Sequence, residues 1–161
     1  MCWCSSRHST RGNADTLERT NVLGAVVAVV FYTSAILVFA FRLLGKPQYG
    51  HWIGYIEFLL ALPLIYLLSK APQLSRPALY YLQIVLMLAW LVLELFLDYI
   101  LKIDFRQVRW IVISYVTLFF AGTGGMLGVA AHAGRGWSIP ALILFLVMAV
   151  FAFVQRAVTG M

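Results

Sequence analysis

Apolar residues fill five stretches of the chain, and polar, charged and turn-forming residues gather between them. The pattern predicts helices over about 21–43, 51–68, 78–102, 108–131 and 138–158. At about 1.5 Å per residue, stretches of this length match a hydrocarbon layer of about 30 Å. The first, Val22 to Phe41, is longer than the apolar segment of a cleavable signal and has no small-residue cleavage site after it, so it stays as a helix. The expected fold is all-α, a polytopic integral membrane bundle of five transmembrane helices with short loops, occupying residues 21–161. Residues 1–20 are polar, mixed in charge and poor in aliphatics. They bury too little surface to offset the entropy of ordering and are expected to form a flexible tail.

The third stretch carries two carboxylates, Glu94 and Asp98, four residues apart and therefore on one helix face. Gln83, Met87 and Trp90 continue the stripe. An acid near the bilayer centre costs roughly 2.5–3.5 kcal/mol on insertion scales, so this face is expected to look into the bundle. The indole N–H of Trp90 needs a partner there as well, although core packing is the simplest role for the ring.

The second stretch adds Glu57, about six residues or about 9 Å inside the expected helix start. Gly54 and Ala61 stand on its face at i−3 and i+4, marking a close helix approach. Pro63 is expected to kink the helix, because it has no N–H to give to the Leu59 carbonyl. Along an up-and-down path, helices 1, 3 and 5 end on the face where helices 2 and 4 begin. That places Glu57, Glu94, Asp98 and Arg156 in one leaflet, with Gln155 beside Arg156 and His51 at the mouth as a proton relay. Opposite charges gathered in low dielectric compensate one another's desolvation. The group reads either as a ligand-, ion- or proton-binding cavity or as an ion-pair network that fixes helix register. In the fourth stretch, Gly124 and Gly128 form a GxxxG, expected to serve close helix packing.

Composition changes the picture in one respect. With 63% hydrophobic and 11% charged residues and a mean hydropathy of +0.90, a soluble domain is excluded. The net charge of +6 therefore does not imply nucleic acid; the cations lie between apolar stretches, as topology and headgroup anchors. The expected partners are the lipid bilayer and either further copies of the chain or another membrane protein. Trp52, Trp110 and Trp137 each stand at a helix start, the position of an aromatic belt. Arg7, Arg11, Arg19, Lys70, Arg76 and Arg135 fall on one side and Arg42, Lys46, Lys102, Arg106, Arg109 and Arg156 on the other, a tie under the positive-inside rule. With the tail set aside, loops 1 and 3 would face the cytoplasm.

Candidate cofactor chemistry is sparse. Cys2 and Cys4 have no further cysteine to complete a tetrahedral site, and His51 and His132 fall on opposite faces, so they cannot share a haem iron or zinc. No metal or cofactor is expected. Three functions fit these residues. The first is a small-ligand or proton-binding cavity in one leaflet, built from helices 2, 3 and 5, whose buried carboxyl would suit proton transfer if the protein were an enzyme. The second is a structural or assembly subunit of a membrane complex. The third is a proton- or cation-coupled transporter acting as an oligomer.

Overall fold

The computed structural model describes residues 6–101 and 109–159. Among them the regular elements are all helical: α1 (Ser6–Leu43), α2 (Pro47–Leu59), α3 (Ala61–Lys70), α4 (Ala78–Glu94), a π-helical segment (Leu95–Ile100), α5 (Arg109–Ala131) and α6 (Arg135–Thr159). α2 and α3 together make one span. Five stretches are long and apolar enough to cross a membrane: Ala14–Leu43, Gln48–Lys70, Ala78–Leu97, Trp110–Ala131 and Arg135–Val158. The chain is an all-α bundle with the architecture of a multi-pass membrane protein.

α1 is the centre of the bundle and packs against α2, α3, α5 and α6, while α4 packs against α5 and α3. Small residues make this centrality achievable. Ala25, Ala28 and Ala35 are buried along α1, and a Cβ added at Gly24 would stand 2.7 Å from Val129 Cγ1 of α5. Phe31 and Tyr32 fill the space between them, with Leu64, Leu67, Ile84, Met87, Met126 and Met148 closing the core from the other helices. Large apolar side chains such as Leu59, Leu62, Ile143 and Phe153 are exposed, which is the surface a bilayer solvates.

α4 and α5 approach through glycine. A Cβ at Gly122 would lie 3.2 Å from Met87 Cα, and one at Gly125 3.2 Å from Gln83 Cα. At Gly128 it would overlap the Gln83 amide, whose nitrogen lies 2.2 Å from the Cβ position. A Cβ at Gly124 would meet no atom of a neighbouring helix within 4 Å. The close-packed series is therefore Gly122, Gly125 and Gly128; of the expected GxxxG pair only Gly128 meets a neighbouring helix of its own chain.

Several boundaries differ from the sequence reading. α1 begins at Ser6 instead of Asn21, so the described part of the expected flexible tail, residues 6–20, is helical; residues 1–5, with Cys2 and Cys4, lie outside the described residues. Extending an existing helix adds one hydrogen bond per residue fixed and avoids the nucleation cost. α2 begins at Pro47, four residues earlier than expected, because proline is tolerated in a first turn where the N–H has no intrahelical partner. Gly45, with φ +69°, makes the preceding turn. α6 begins at Arg135 after Gly134, whose φ is +100°. Ser138 does not cap it, and its hydroxyl donates back to the Arg135 carbonyl at 3.4 Å. The third expected helix changes character after Glu94, where the backbone widens into the π-helical segment and Leu101 N–H donates to the Phe96 carbonyl, five residues back, at 2.8 Å.

Candidate functional site

Glu57 is 4% exposed, the most deeply buried acid among the described residues. It lies ten residues after Pro47, about 15 Å along the helix and near the bilayer midplane, deeper than the one-leaflet position expected from the sequence. Ser34, nine residues before the end of α1, reaches a similar depth counted from the same face. The Ser34 hydroxyl is 3.2 Å from Glu57 Oε1 and 2.8 Å from the Phe31 carbonyl. Arg42, two turns further along α1, acts on Glu57 through its charge. Gly54 is buried one turn before Glu57, and Ala61 is half-buried after it.

The helix is interrupted beside this carboxyl. α2 ends at Leu59 and α3 begins at Ala61, with Leu60 at φ −67°, ψ −14°. Leu60 N–H donates to both the Ile56 carbonyl at 3.2 Å and the Glu57 carbonyl at 3.1 Å. Pro63, four residues after Leu59, has no N–H with which to continue the ladder, so the break falls one turn ahead of the proline. The irregularity is local: Leu60 stays in the right-handed helical region, and Leu64 N–H donates to its carbonyl at 3.3 Å, so α2 and α3 run on as one span.

Arg156, Gln155, Glu94 and Trp90 lie elsewhere. Arg156 is exposed in the last turns of α6, and Gln155 is half-buried beside it. Among the described residues α2 packs on α1 and α3, and α6 on α1 and α5, so Arg156 is not brought to Glu57; Arg42 on the central helix is the cation that acts there. Glu94 is half-buried at the end of α4, three residues before the end of its span and so about 10 Å shallower than Glu57. Asp98 falls in the π-helical segment, where a wider turn replaces the i, i+4 stacking expected of an α-helix. The side chains of Asp98 and His51 lie outside the described residues. Trp90 is buried in an aromatic group: its ring lies 5.5 Å from Phe31, 5.1 Å from Phe119 and 6.3 Å from Tyr115. Its Nε1 has no hydrogen-bond partner among the described residues, and neither has Gln83 Oε1 two turns earlier.

A second polar cluster stands at the opposite membrane face, and the sequence reading did not single it out. Arg76, in the loop before α4, donates from Nη2 to Thr20 Oγ1 at 3.2 Å and to Asn21 Oδ1. Its guanidinium carbon lies 4.8 Å from the centre of the Tyr80 ring, and the His132 ring meets Tyr80 edge-on at 5.6 Å. Partial burial, with the nearby Arg76 charge adding to it, holds the His132 pKa below the ordinary histidine value. The signal available beforehand was depth: Thr20 and Asn21 stand where the apolar run of the first helix begins, Arg76 two residues before the third span and His132 one residue after the fourth.

Compared with protein-family models, with curated proteins and with solved structures, the chain matches none of them.

Proposed function

We propose that this chain is a multi-pass integral membrane protein that reversibly binds a proton, or a small ligand able to donate a hydrogen bond, at Glu57. The observation that carries the reading is the contact between Ser34 and a carboxyl that is 4% exposed at about the middle of its span. Intramembrane acids are costly and concentrate where ions or protons bind. The contact serves both forms of the carboxyl. Ionised, Glu57 accepts the Ser34 hydrogen; protonated, it donates its own to Ser34 Oγ while Ser34 donates to the Phe31 carbonyl. The test is infrared difference spectroscopy of the reconstituted protein across a pH jump. A carboxylic acid C=O band that titrates in the native protein and disappears in Glu57→Gln is expected; a spectrum that Glu57→Gln leaves unchanged overturns the assignment.

Coupled transport is a second reading, since Pro63 has no N–H to give to the Leu59 carbonyl beside Glu57, which leaves an acid and a backbone oxygen close together near the midplane. Proton movement into proteoliposomes under an imposed pH gradient separates the two: flux lost in Glu57→Gln supports transport, and no flux beyond empty vesicles leaves binding alone. With Arg7, Arg11 and Arg19 set aside, loops 1 and 3 are assigned to the cytoplasm, because that side carries Arg42, Lys46, Lys102, Arg106, Arg109 and Arg156 against Lys70, Arg76 and Arg135. Cys2 and Cys4 would then lie outside and react with a membrane-impermeant maleimide in intact cells; labelling only after lysis reverses the assignment.

A further inference from the structure

Arg76 is a half-buried cation whose partners among the described residues are neutral. The Asn21 amide oxygen, the Thr20 hydroxyl and the Tyr80 ring face hold the guanidinium, and its Nε is buried without a hydrogen-bond partner. A buried charge is costly unless an opposite charge or a full set of hydrogen bonds accompanies it. Among the described residues the hydrogen-bonded set is incomplete and no acid completes it. Thr20 Oγ1 already donates to the Leu17 carbonyl at 2.9 Å, so it serves Arg76 only as an acceptor. The arrangement orients a guanidinium and leaves its charge to be met by something else.

Depth indicates what that is. Thr20 precedes Leu43 by 23 residues on one continuous helix, about 35 Å, which exceeds a hydrocarbon thickness of about 30 Å. With the α1 end at Leu43 near one boundary, Thr20, Asn21 and the Arg76 they hold sit in the opposite headgroup layer. Arg76 also precedes by two residues the start of the third span at Ala78, and His132 follows by one residue the end of the fourth at Ala131. Four chain segments thus converge at phosphate level around one cation: α1 through Thr20 and Asn21, loop 2 through Arg76, α4 through Tyr80, and the end of α5 through His132. The His132 ring, packed on Tyr80 with an exposed side, adds a nitrogen donor to the same rim.

We propose that Arg76 and His132, set around the Tyr80 ring, form a binding site for a phosphate group, carried by the headgroup of an acidic phospholipid. The planar guanidinium fork matches two phosphate oxygens, and the ring beneath it fixes the plane of that fork. The site is independent of Glu57, which lies about half a bilayer away.

The experiment measures lipid retention and a histidine signal together. Full-length protein is reconstituted in nanodiscs of phosphatidylcholine alone or with phosphatidylglycerol, and bound lipid is counted by native mass spectrometry while the His132 ring is followed by NMR. Native protein is expected to retain phosphatidylglycerol over phosphatidylcholine by about tenfold or more, and Arg76→Gln to lose that preference. Arg76→Lys, which keeps the charge without the fork, is expected to retain less than native protein. The His132 signal should move when phosphatidylglycerol is introduced and stay fixed in Arg76→Gln. Inorganic phosphate added to phosphatidylcholine nanodiscs separates the sources: an equal movement of the His132 signal makes free phosphate the ligand and overturns the lipid assignment. If Arg76→Gln does not fold, native protein and Arg76→Lys decide between them. Equal retention of the two lipids by native protein, or retention by Arg76→Lys that matches native protein, overturns the proposal.

Discussion

The Ser34 hydroxyl lies 2.8 Å from the Phe31 carbonyl and 3.2 Å from Glu57 Oε1, and it has a single hydrogen to share between them. Ser34→Ala removes the hydrogen bond at Glu57 Oε1 and leaves the carboxyl to the charge of Arg42. We expect a loss of about 1–3 kcal/mol in unfolding free energy, the cost of a buried polar group deprived of its partner. Glu57→Gln keeps the shape and gives Ser34 an amide partner, so its loss should be smaller. Unfolding in mixed micelles measures both; a Ser34→Ala protein as stable as native would show that the contact carries no energy.

The glycines of α5 separate sharply by position. At Gly122 an added side chain meets backbone, 3.2 Å from Met87 Cα and 3.3 Å from the Leu86 carbonyl, and backbone cannot rotate away. Gly122→Leu should push α4 from α5 and cost about 1–3 kcal/mol or more, as overpacking does. Gly124→Leu meets nothing within 4 Å and should leave monomer stability near native. Heat-induced loss of near-ultraviolet circular dichroism measures the contrast. Equal melting of the two variants would mean that α4 and α5 do not pack through Gly122.

Apolar run length made the five spans legible, because a bilayer demands it: Val22–Phe41 falls inside the observed span Ala14–Leu43, and the fourth expected helix ends at Ala131 as observed. Pro63 announced the interruption beside Glu57, since a missing N–H is a local property of one residue. Lateral neighbours were not legible. Depth along an up-and-down path can be counted, but the angular position of each helix depends on which small residues let which neighbours in. Gly24 and the buried alanines put α1 at the centre, and that decides that Glu57 meets Ser34 while Arg156 stays exposed. The π-helical segment left no trace either, because Leu95–Ile100 contains neither glycine nor proline. Arg76 looked like one more loop cation; only the fold shows that it holds α1 to the start of α4.

Tyr32 is fully buried, and its hydroxyl donates to the Thr123 carbonyl at 2.7 Å, joining α1 to α5 inside the membrane. The Thr123 hydroxyl donates in turn to the Phe119 carbonyl at 2.8 Å, one helical turn back. Tyr32→Phe keeps the ring contact with Phe145 and deletes the bond. Interhelical hydrogen bonds in membranes contribute about 0.6 kcal/mol on average and up to about 1.7, so a loss in that range is expected. Thr123→Val should change stability less, because the Tyr32 acceptor is the backbone oxygen. If Thr123→Val costs more than Tyr32→Phe in the same unfolding assay, the link between α1 and α5 runs through something other than the tyrosine hydroxyl.

His132, between the fourth and fifth spans, has a folded-state pKa below the ordinary 6.5, through burial first and the Arg76 charge second. Between the folded value and 6.5 the unfolded chain binds more protons at this site than the folded one, so stability rises with pH across that window. The contribution is fully present above the ordinary value and is lost as the pH falls through it towards the folded value. Arg76→Gln removes one of the two causes and should raise the His132 midpoint, leaving the burial effect in place, while His132→Gln should flatten this part of the stability profile. A titration of the His132 ring resonances in zwitterionic micelles measures the midpoint, and unfolding at a series of pH values measures the linkage. A midpoint at or above that of a histidine in the unfolded chain, or one unmoved by Arg76→Gln, would mean that the guanidinium and the imidazole do not sense each other across the Tyr80 ring.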